Sequence, residues 1–244
     1  MRLSQSFVNK TMLNIEKSLS PRLFMIADLV PKCFSVCDIG TDHAYVPIYL
    51  IQKGTAKKAI AADIKVGPLI QAEKNITLYG MKDKITTRLS DGFSNILENE
   101  ADCVIIAGMG GETIASILKK DKGAGVYVLQ MQTAHRYLRS YLCDNGYVIK
   151  KEAVCREGNK IYTALMAQKG EPYSLSLVEK EIGPYLLKQR PPLFYDYVRY
   201  RLYEIYSILK KMQSLEDTDE KKKHLLLLKS EYENLLKGEM QWLN

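Results

Sequence analysis

The chain lacks an apolar run of the roughly 18 residues needed to cross a membrane. Its first 18 residues also lack the apolar core of a secretory signal peptide. Cysteine is scarce, with five residues and no CxxC pair, which argues against a zinc site or a disulfide framework. We therefore expect a cytoplasmic protein with reduced thiols, no membrane partner and no bound metal.

The glycine pattern of dinucleotide-binding proteins is also missing. A pyrophosphate site needs three glycines at GxGxxG spacing, whereas Gly40 stands alone before Thr41, Asp42 and His43. These polar, partly acidic side chains suit a ligand with a cationic or amino-acid end better than a diphosphate. An ordinary strand–turn–helix corner is the alternative, and this segment alone does not decide between the two.

Composition favours a globular protein with a basic surface. The 244 residues are 46% hydrophobic, which supplies a sizeable core. The net charge is +7, and the whole excess lies in residues 1–170, because residues 171–244 carry equal numbers of acidic and basic side chains. Such an excess fits a polyanionic partner, although a merely soluble basic surface explains it equally well.

Strands and helices alternate along the first 170 residues, which predicts a mostly parallel sheet with helices on both faces. Three strands end near Asp38, Asp63 and Asp91, and a fourth runs into the glycine cluster 108–111. Ligands bind at the carboxyl ends of such strands, so one sheet edge is the predicted site. We predict strands over 34–39, 57–64, 85–89, 103–107 and 126–129, helices over 21–30, 44–52, 69–79, 93–97 and 134–143, and a hairpin over 147–155 and 160–166.

Beyond residue 170 the pattern becomes helical. Apolar residues step by three and four, which predicts two antiparallel helices in a short coiled coil; they are Val198, Leu202, Ile205, Leu209, Met212, Leu225, Leu228, Tyr232 and Leu235. The tyrosines at 195, 197, 200, 203 and 206 are interpreted as packing residues, with nucleobase stacking as the alternative. We divide the chain into an extension over 1–18, an α/β domain over 19–169 and a helical domain over 170–244.

Several motifs together resemble one family, the bacterial tRNA (adenine-N1)-methyltransferases that modify position 22. They are LSPRL, VCDIGTDHAYVPIYL, AIAADIKVGPL, DKITTRLSDG, VIIAGMGGETI, LQMQTAHRYLRSYL and EGNKIY, spread over residues 19–168. The resemblance implies a Rossmann-like class I methyltransferase domain with a C-terminal coiled coil, S-adenosylmethionine as cofactor and tRNA as partner. Met131 and Thr163 depart from the usual proline and acidic residue of the family.

The resemblance also implies residue roles at the cofactor site. Asp38 and Gly40 would shape the methionine end, which Thr41, Asp42 and His43 would line. Asp63, with Ile64 beside it, would hold the ribose hydroxyls, and Asp91 and Gly92 would contact the adenine. Ala107, Gly108 and Met109 would pass under the sulfonium, and Arg22, Tyr45, Gly110 and Gly111 would meet the substrate.

Adenine N1 carries a lone pair, so no strong general base is required. Asp42 is our catalytic candidate, stabilising the positive charge that grows on the base, with Met109 as a second candidate. His43 is interpreted as hydrogen-bonded and structural, with acid–base work as the alternative. The NPPY signature of exocyclic-amine methyltransferases is absent.

Two other functions are weighed against the first. One is a methyltransferase of a small molecule or protein with a dimerising coiled coil, and the other is a non-catalytic RNA-binding module with a degenerate site. The intact acids and glycines argue against the module, and the basic excess argues against the small-molecule enzyme. A monomer is slightly favoured.

Overall fold

A seven-stranded mixed sheet forms the centre of the protein. The computed structural model describes residues 13–212 and 220–240. Its strand order is β3-β2-β1-β4-β5-β7-β6, so β3 and β6 lie at the two edges. The strands are β1 Ser35–Ile39, β2 Lys58–Asp63, β3 Ile85–Leu89, β4 Cys103–Met109, β5 Val126–Met131, β6 Tyr147–Glu157 and β7 Lys160–Lys169. The first five are parallel and β7 is antiparallel to its neighbours β5 and β6.

Helices cover both faces of the sheet. They are α1 Pro21–Asp28, α2 Tyr45–Gln52, α3 Val66–Leu78, α4 Gly111–Leu118, α5 His135–Asp144, α6 Leu177–Ile182, α7 Pro184–Gln189, α8 Phe194–Lys211 and α9 Glu220–Met240, preceded by a 3-10 turn at Ile15–Ser18. The first three pack on one face and share a core with Val36 and Ile105. Helices α4 and α5 pack on the other, around Ile106 and Leu129. The Rossmann-like α/β fold predicted from the sequence is confirmed.

Capping residues fix where helices begin. The Ser20 hydroxyl accepts the N–H of Leu23, and Pro21 occupies the first turn, as the sequence predicts for α1. Helix α3 begins at Val66, three residues before its predicted start, and takes Gly67 and Pro68 into its first turn. Proline is accepted there because the first N–H groups of a helix have no partner within it.

The predicted helix over residues 93–97 is wrong. This segment is a series of turns. The Ser90 hydroxyl donates to the carbonyl of Gly92 and accepts the N–H of Asn95, while the Asn95 amide donates to the carbonyl of Leu89. Such side-chain bonds to the backbone compete with helical ones, so the chain turns instead.

The C-terminal helices share a third core. Val198, Leu202, Ile205, Leu225 and Leu228 are buried between α8 and α9, as the apolar spacing predicts. Ile161 of β7 belongs to the same core, so the helical pair packs directly on the hairpin. Helices α6 and α7, which the sequence did not predict, connect the two parts; α6 begins with a capping box between Ser176 and Glu179.

The tyrosines of α8 differ in their surroundings. Tyr197 is buried, whereas Tyr203 and Tyr206 are exposed, and the hydroxyl of Tyr206 donates to Glu233 of α9. Packing therefore explains only part of this set. Residues 1–12 of the predicted extension, and residues 213–219 and 241–244 of the predicted helical domain, lie outside the described part of the chain. Within the described part, none of the helices has the length and apolar character required to traverse a bilayer.

Candidate active site

A cavity of about 360 Å³ opens at the carboxyl ends of β1 and β4, beneath α1 and the start of α2. Leu23, Val46 and Ile105 form its apolar walls. Many of the residues singled out in the sequence line it together: Arg22, Asp38, Gly40, Thr41, Asp42, His43, Tyr45, Ala107 and Gly108. One local motif and two distant segments thus meet in a single space.

Asp38 is the buried acid of this cavity. Its residue is 6% exposed, and its Oδ2 accepts the Thr41 hydroxyl at 2.7 Å. Burial raises the pKa of Asp38 to about 6; the hydrogen bond from Thr41 opposes the rise, and the charge of Asp63 adds to it. A carboxyl so placed is ready to pair with a cation entering the cavity.

The turn after β1 is held in unusual backbone geometry. Gly40, Asp42 and Ala44 all have positive φ angles, of 80°, 51° and 56°. The N–H groups of Gly40 and Thr41 both donate to the carbonyl of Ala62 in β2, which fixes the start of the turn. Alanine rarely adopts this conformation, and such strained positions cluster at functional sites.

His43 stacks on Tyr45 at the mouth of the cavity, with ring centroids 5.2 Å apart. Its Nε2 lies 3.4 Å from Oδ2 of Asp42. Its Nδ1 is buried and has no hydrogen-bond partner among the described residues. Buried polar atoms are nearly always paired, so this unpaired nitrogen is an exception within the site.

Two hydrogen bonds and a cation–π contact hold Arg22 in place. Its backbone N–H donates to Glu157, its Nη1 donates to Oε1 of Gln130 at 3.2 Å, and its guanidinium lies over the ring of Tyr162. A basic residue in the first turn of a helix is electrostatically poor unless an anion lies beside it. The structure supplies the anion within the chain, at Glu157, 4.0 Å from Arg22 Nε.

The other predicted residues lie along the same sheet edge but do not line this cavity. They are Asp63, Ile64, Asp91, Gly92, Met109, Gly110 and Gly111, which follow or end β2, β3 and β4. Asp63 accepts the N–H of Lys65, and Asp91 and Ile64 are exposed. Met109 packs against Gly40, since a Cβ at Gly40 would overlap the Met109 methyl group.

Gly111 begins α4 against the loop that follows β5. Its N–H donates to the Thr133 carbonyl at 2.9 Å, and a Cβ there would overlap the carbonyl oxygen of Ala134. We expect Gly111→Ala to lower the free energy of unfolding by about 1–3 kcal/mol, because backbone cannot move aside as a side chain does. Urea unfolding monitored by circular dichroism measures this change.

Gly67→Ala is the matched control for that substitution. Gly67 is also a helical glycine, but it has open space around its missing Cβ and no positive φ. We expect the free energy of unfolding of this variant to rise by about 0.4–1 kcal/mol. Equal effects of the two substitutions would contradict the close approach at Gly111.

Sequence reasoning missed Gln130 and Glu157. Gln130 is fully buried, and it is the one strongly polar residue in the apolar strand β5, VYVLQM. That contrast is a signal available in the sequence. Glu157 gives no such signal, because its role arises from contacts with α1. Across residues 13–212 and 220–240, no group of three or more His, Cys, Asp or Glu side chains could hold a metal ion.

Comparison with known proteins identifies the family. A methyltransferase domain family matches residues 19–165. The tRNA (adenine(22)-N(1))-methyltransferase of Bacillus subtilis (strain 168) is 34% identical over 220 residues, covering 86% of this chain and 92% of the relative.

Solved structures of two similar proteins contain cofactor molecules. Sp1610 of Streptococcus pneumoniae, in complex with S-adenosyl-L-methionine, is 30% identical with a TM-score of 0.79, covering 89% of this chain and 99% of that one. TrmK of M. capricolum, in complex with the product S-adenosyl-homocysteine, is 30% identical with a TM-score of 0.77, covering 90% and 98%. The sheet, the cavity at its edge and these likenesses agree: the chain belongs to the family of tRNA (adenine(22)-N(1))-methyltransferases.

Proposed function

We propose that this chain transfers the methyl group of S-adenosylmethionine to N1 of the adenine at position 22 of tRNA. The observation that carries the proposal is the cavity at the ends of β1 and β4, which is lined by a buried acid, Asp38, an exposed acid, Asp42, and two glycines. Relatives with this fold bear that activity in their names or were solved with this cofactor or its product.

The residues present fit the proposed cofactor. Asp38 and Asp42 give the cavity acceptors and negative charge, which suit an ammonium group and a sulfonium. Gly40 and Gly108 have no side chains and leave room in its wall. When bound, S-adenosylmethionine supplies an electrophilic methyl group on a positively charged sulfur.

We assign the cofactor contacts as follows. Asp38, Gly40, Thr41, Asp42 and His43 bind the methionine end, Asp63 with Ile64 the ribose, Asp91 with Gly92 the adenine, and Ala107, Gly108 and Met109 lie beneath the sulfonium. Strands β1 and β2 are parallel neighbours, so Asp38 and Asp63 lie at the same end of the sheet, which supports one continuous site across the two strands.

Catalysis rests on orientation and charge. The N1 lone pair of adenine attacks without prior deprotonation, so the protein's task is to align the base and keep it aligned. The Asp42 side chain is 70% exposed at the rim of the cavity, where its carboxylate stabilises the positive charge that develops on the base. Met109 packs against Gly40, which lines the cavity, and His43, stacked on Tyr45, orients Asp42.

The substrate approaches from the open side of the cavity. We assign Arg22, Tyr45, Gly110 and Gly111 to this approach, because Tyr45 offers an aromatic face and the two glycines follow β4 at the same edge of the sheet. Adenine N1 is normally engaged in base pairing, so the nucleotide must be unpaired or flipped out. We assign residues 19–169 to the catalytic domain and residues 170–244 to a helical domain that assists tRNA binding.

Mapping the methylated nucleotide tests this function. The purified chain is incubated with S-adenosylmethionine and an unmodified tRNA transcript carrying adenine at position 22. We expect 1-methyladenine at that position alone, detected by mass spectrometry of nuclease fragments. A transcript with guanine at position 22 is the control and should stay unmethylated. Methylation at another base, or of both transcripts, would contradict the proposal.

A further inference from the structure

Gln130 lies buried in β5 with both ends of its carboxamide engaged. Its side chain is inaccessible to solvent, and its Nε2 donates to the Met131 carbonyl at 2.8 Å. Its Oε1 accepts from three donors: the N–H of Gly108 at 3.1 Å, Nη1 of Arg22 at 3.2 Å and Nε2 of Gln132 at 3.4 Å. A buried oxygen that gathers three donors from separate segments is a strong local constraint.

The hydrogen bond from the Gly108 N–H takes the place of a regular backbone bond between β4 and β5, which the sheet does not make at this position. The register between β4 and β5 shifts between Ala107 and Met109, and Gly108 has a φ of 76°. This is a bulge at the end of a strand, a feature that commonly re-aims residues beside active sites. The Gly108 N–H finds its acceptor in the Gln130 side chain, so the shape of the bulge depends on that oxygen.

The second bond fixes the opposite wall of the cavity. Arg22 and Gly108 both line the cavity, and a Cβ at Gly108 would stand 3.5 Å from Nη1 of Arg22. Gln130 itself does not line the cavity. Its oxygen therefore acts on the site only through the two neighbours that it holds together.

We propose that Gln130 is a positioning residue for methyl transfer, whose carboxamide oxygen holds the Gly108 bulge and the Arg22 guanidinium as facing walls of the reaction cavity. This inference rests on the proposed function. The bulge lies where the incoming base and the methyl donor must be aligned, and small misplacements at such a point lower the rate steeply.

Gln130→Met tests the proposal, because methionine has a similar length and no acceptor oxygen. We expect kcat for tRNA methylation to fall at least about tenfold. The Kd for S-adenosylhomocysteine should change less than about threefold, because the proposed ribose and adenine contacts lie on other strands. Gln168→Met, the same change on β7 beside the start of β5, is the matched control and should keep the wild-type kcat.

A conservative variant distinguishes the role of the Gln130 oxygen as an acceptor from the role of its side chain in packing. Gln130→Glu keeps an acceptor for Gly108 and Arg22 but loses the Nε2 donor to the Met131 carbonyl, so we expect its kcat to lie between those of Gln130→Met and the wild type. This variant also carries the test if Gln130→Met fails to fold. An unchanged kcat in Gln130→Met, a Kd that rises as much as kcat falls, or a kcat in Gln130→Glu no higher than in Gln130→Met would overturn the proposal.

A second measurement does not depend on activity. Amide hydrogen exchange at Gly108, followed by NMR on the full chain, should be about tenfold faster in Gln130→Met than in the wild type. Unchanged exchange would overturn the role of the oxygen. Absence of tRNA methylation by the wild-type chain would instead refute the proposed function, and the exchange at Gly108 would still report on Gln130.

Discussion

We expect Arg139→Met to lower the free energy of unfolding by about 3–5 kcal/mol. The Arg139 and Glu152 side chains are 1% and 0% exposed, with Nη2 and Oε1 2.9 Å apart. The same guanidinium donates to three carbonyls in and next to α6, those of residues 180, 181 and 182. Methionine would fill the space but leave a buried carboxylate without its counter-charge and three carbonyls without a donor.

Urea unfolding of the full chain measures the loss. The control is Arg156→Met, which breaks the exposed ion pair with Asp196, where both side chains are more than 40% exposed. Exposed pairs contribute about 0–1 kcal/mol, so this variant should remain close to the wild type. Similar losses in the two variants would contradict the distinction between buried and exposed pairs.

The double variant Arg139→Met with Glu152→Met refines that result. Removing both charges should recover part of the loss, because no buried charge remains alone. Recovery should be incomplete, since Oε2 of Glu152 also accepts the N–H groups of Tyr185 and Leu186 at the start of α7. Recovery to the wild-type value would mean that these two bonds contribute little.

Asp38→Asn should stabilise the cofactor-free protein at pH 8 while weakening its affinity for S-adenosylmethionine. Burial raises the pKa of Asp38 to about 6, above its ordinary value of 3.8. Between these values the folded state binds the proton more tightly than the unfolded state, so stability falls as pH rises through the window from about 4 to about 6. The destabilisation at pH 8 is about 3 kcal/mol at most.

Asparagine does not titrate, so the stability of the Asp38→Asn variant should not fall with pH across this window. Its amide oxygen can still accept the Thr41 hydroxyl, which keeps the local geometry. Unfolding measured at several pH values should show that Asp38→Asn is more stable than the wild type at pH 8 and equally stable at pH 4. Thr41→Val is the companion variant: without the hydroxyl, the pKa of Asp38 rises further and the window moves to higher pH. A parallel pH dependence in Asp38→Asn and wild type would contradict this account.

Cofactor affinity gives the second half of the prediction. Loss of a charged acceptor in the cavity should weaken binding about 10- to 100-fold, as measured by calorimetry at pH 8. Asp38→Ala and Asp63→Ala should also bind the cofactor more weakly while remaining folded. Wild-type affinity in all three variants would count against the assigned site.

Local pattern predicted most of the sheet. Strand β3 has the predicted bounds, and β1 and β2 differ from theirs by a residue at one or both ends, because apolar runs bounded by glycine and acidic residues are short-range signals. The predicted helix over 93–97 fails because Ser90 and Asn95 bond to nearby backbone, which an apolar pattern does not register. Helices α6 and α7 were missed for a related reason: they are short, and their contacts with α5 and β6 stabilise them.

The residues of the site likewise divide into those that the sequence could identify and those that it could not. The motif from Asp38 to Tyr45 is contiguous, so its residues reach one cavity by local geometry, and the sequence could name them. Gln130 could not be assigned a role from the sequence, because its partners Arg22 and Gly108 are brought to it by the order of the strands. Glu157 likewise meets Arg22 only after the hairpin folds against α1.

The two edge strands of the sheet affect the tendency of copies of the chain to aggregate. An unpaired edge strand offers free N–H and C=O groups on which another chain can add a strand and begin aggregation. At one edge β3 is only five residues long, and Arg88 there pairs with Glu100. At the other, β6 carries an irregularity between Ile149 and Lys151, and α1 and α7 pack on it. Short length, charge, bulging and cover are thus the features that disfavour strand addition at the two edges.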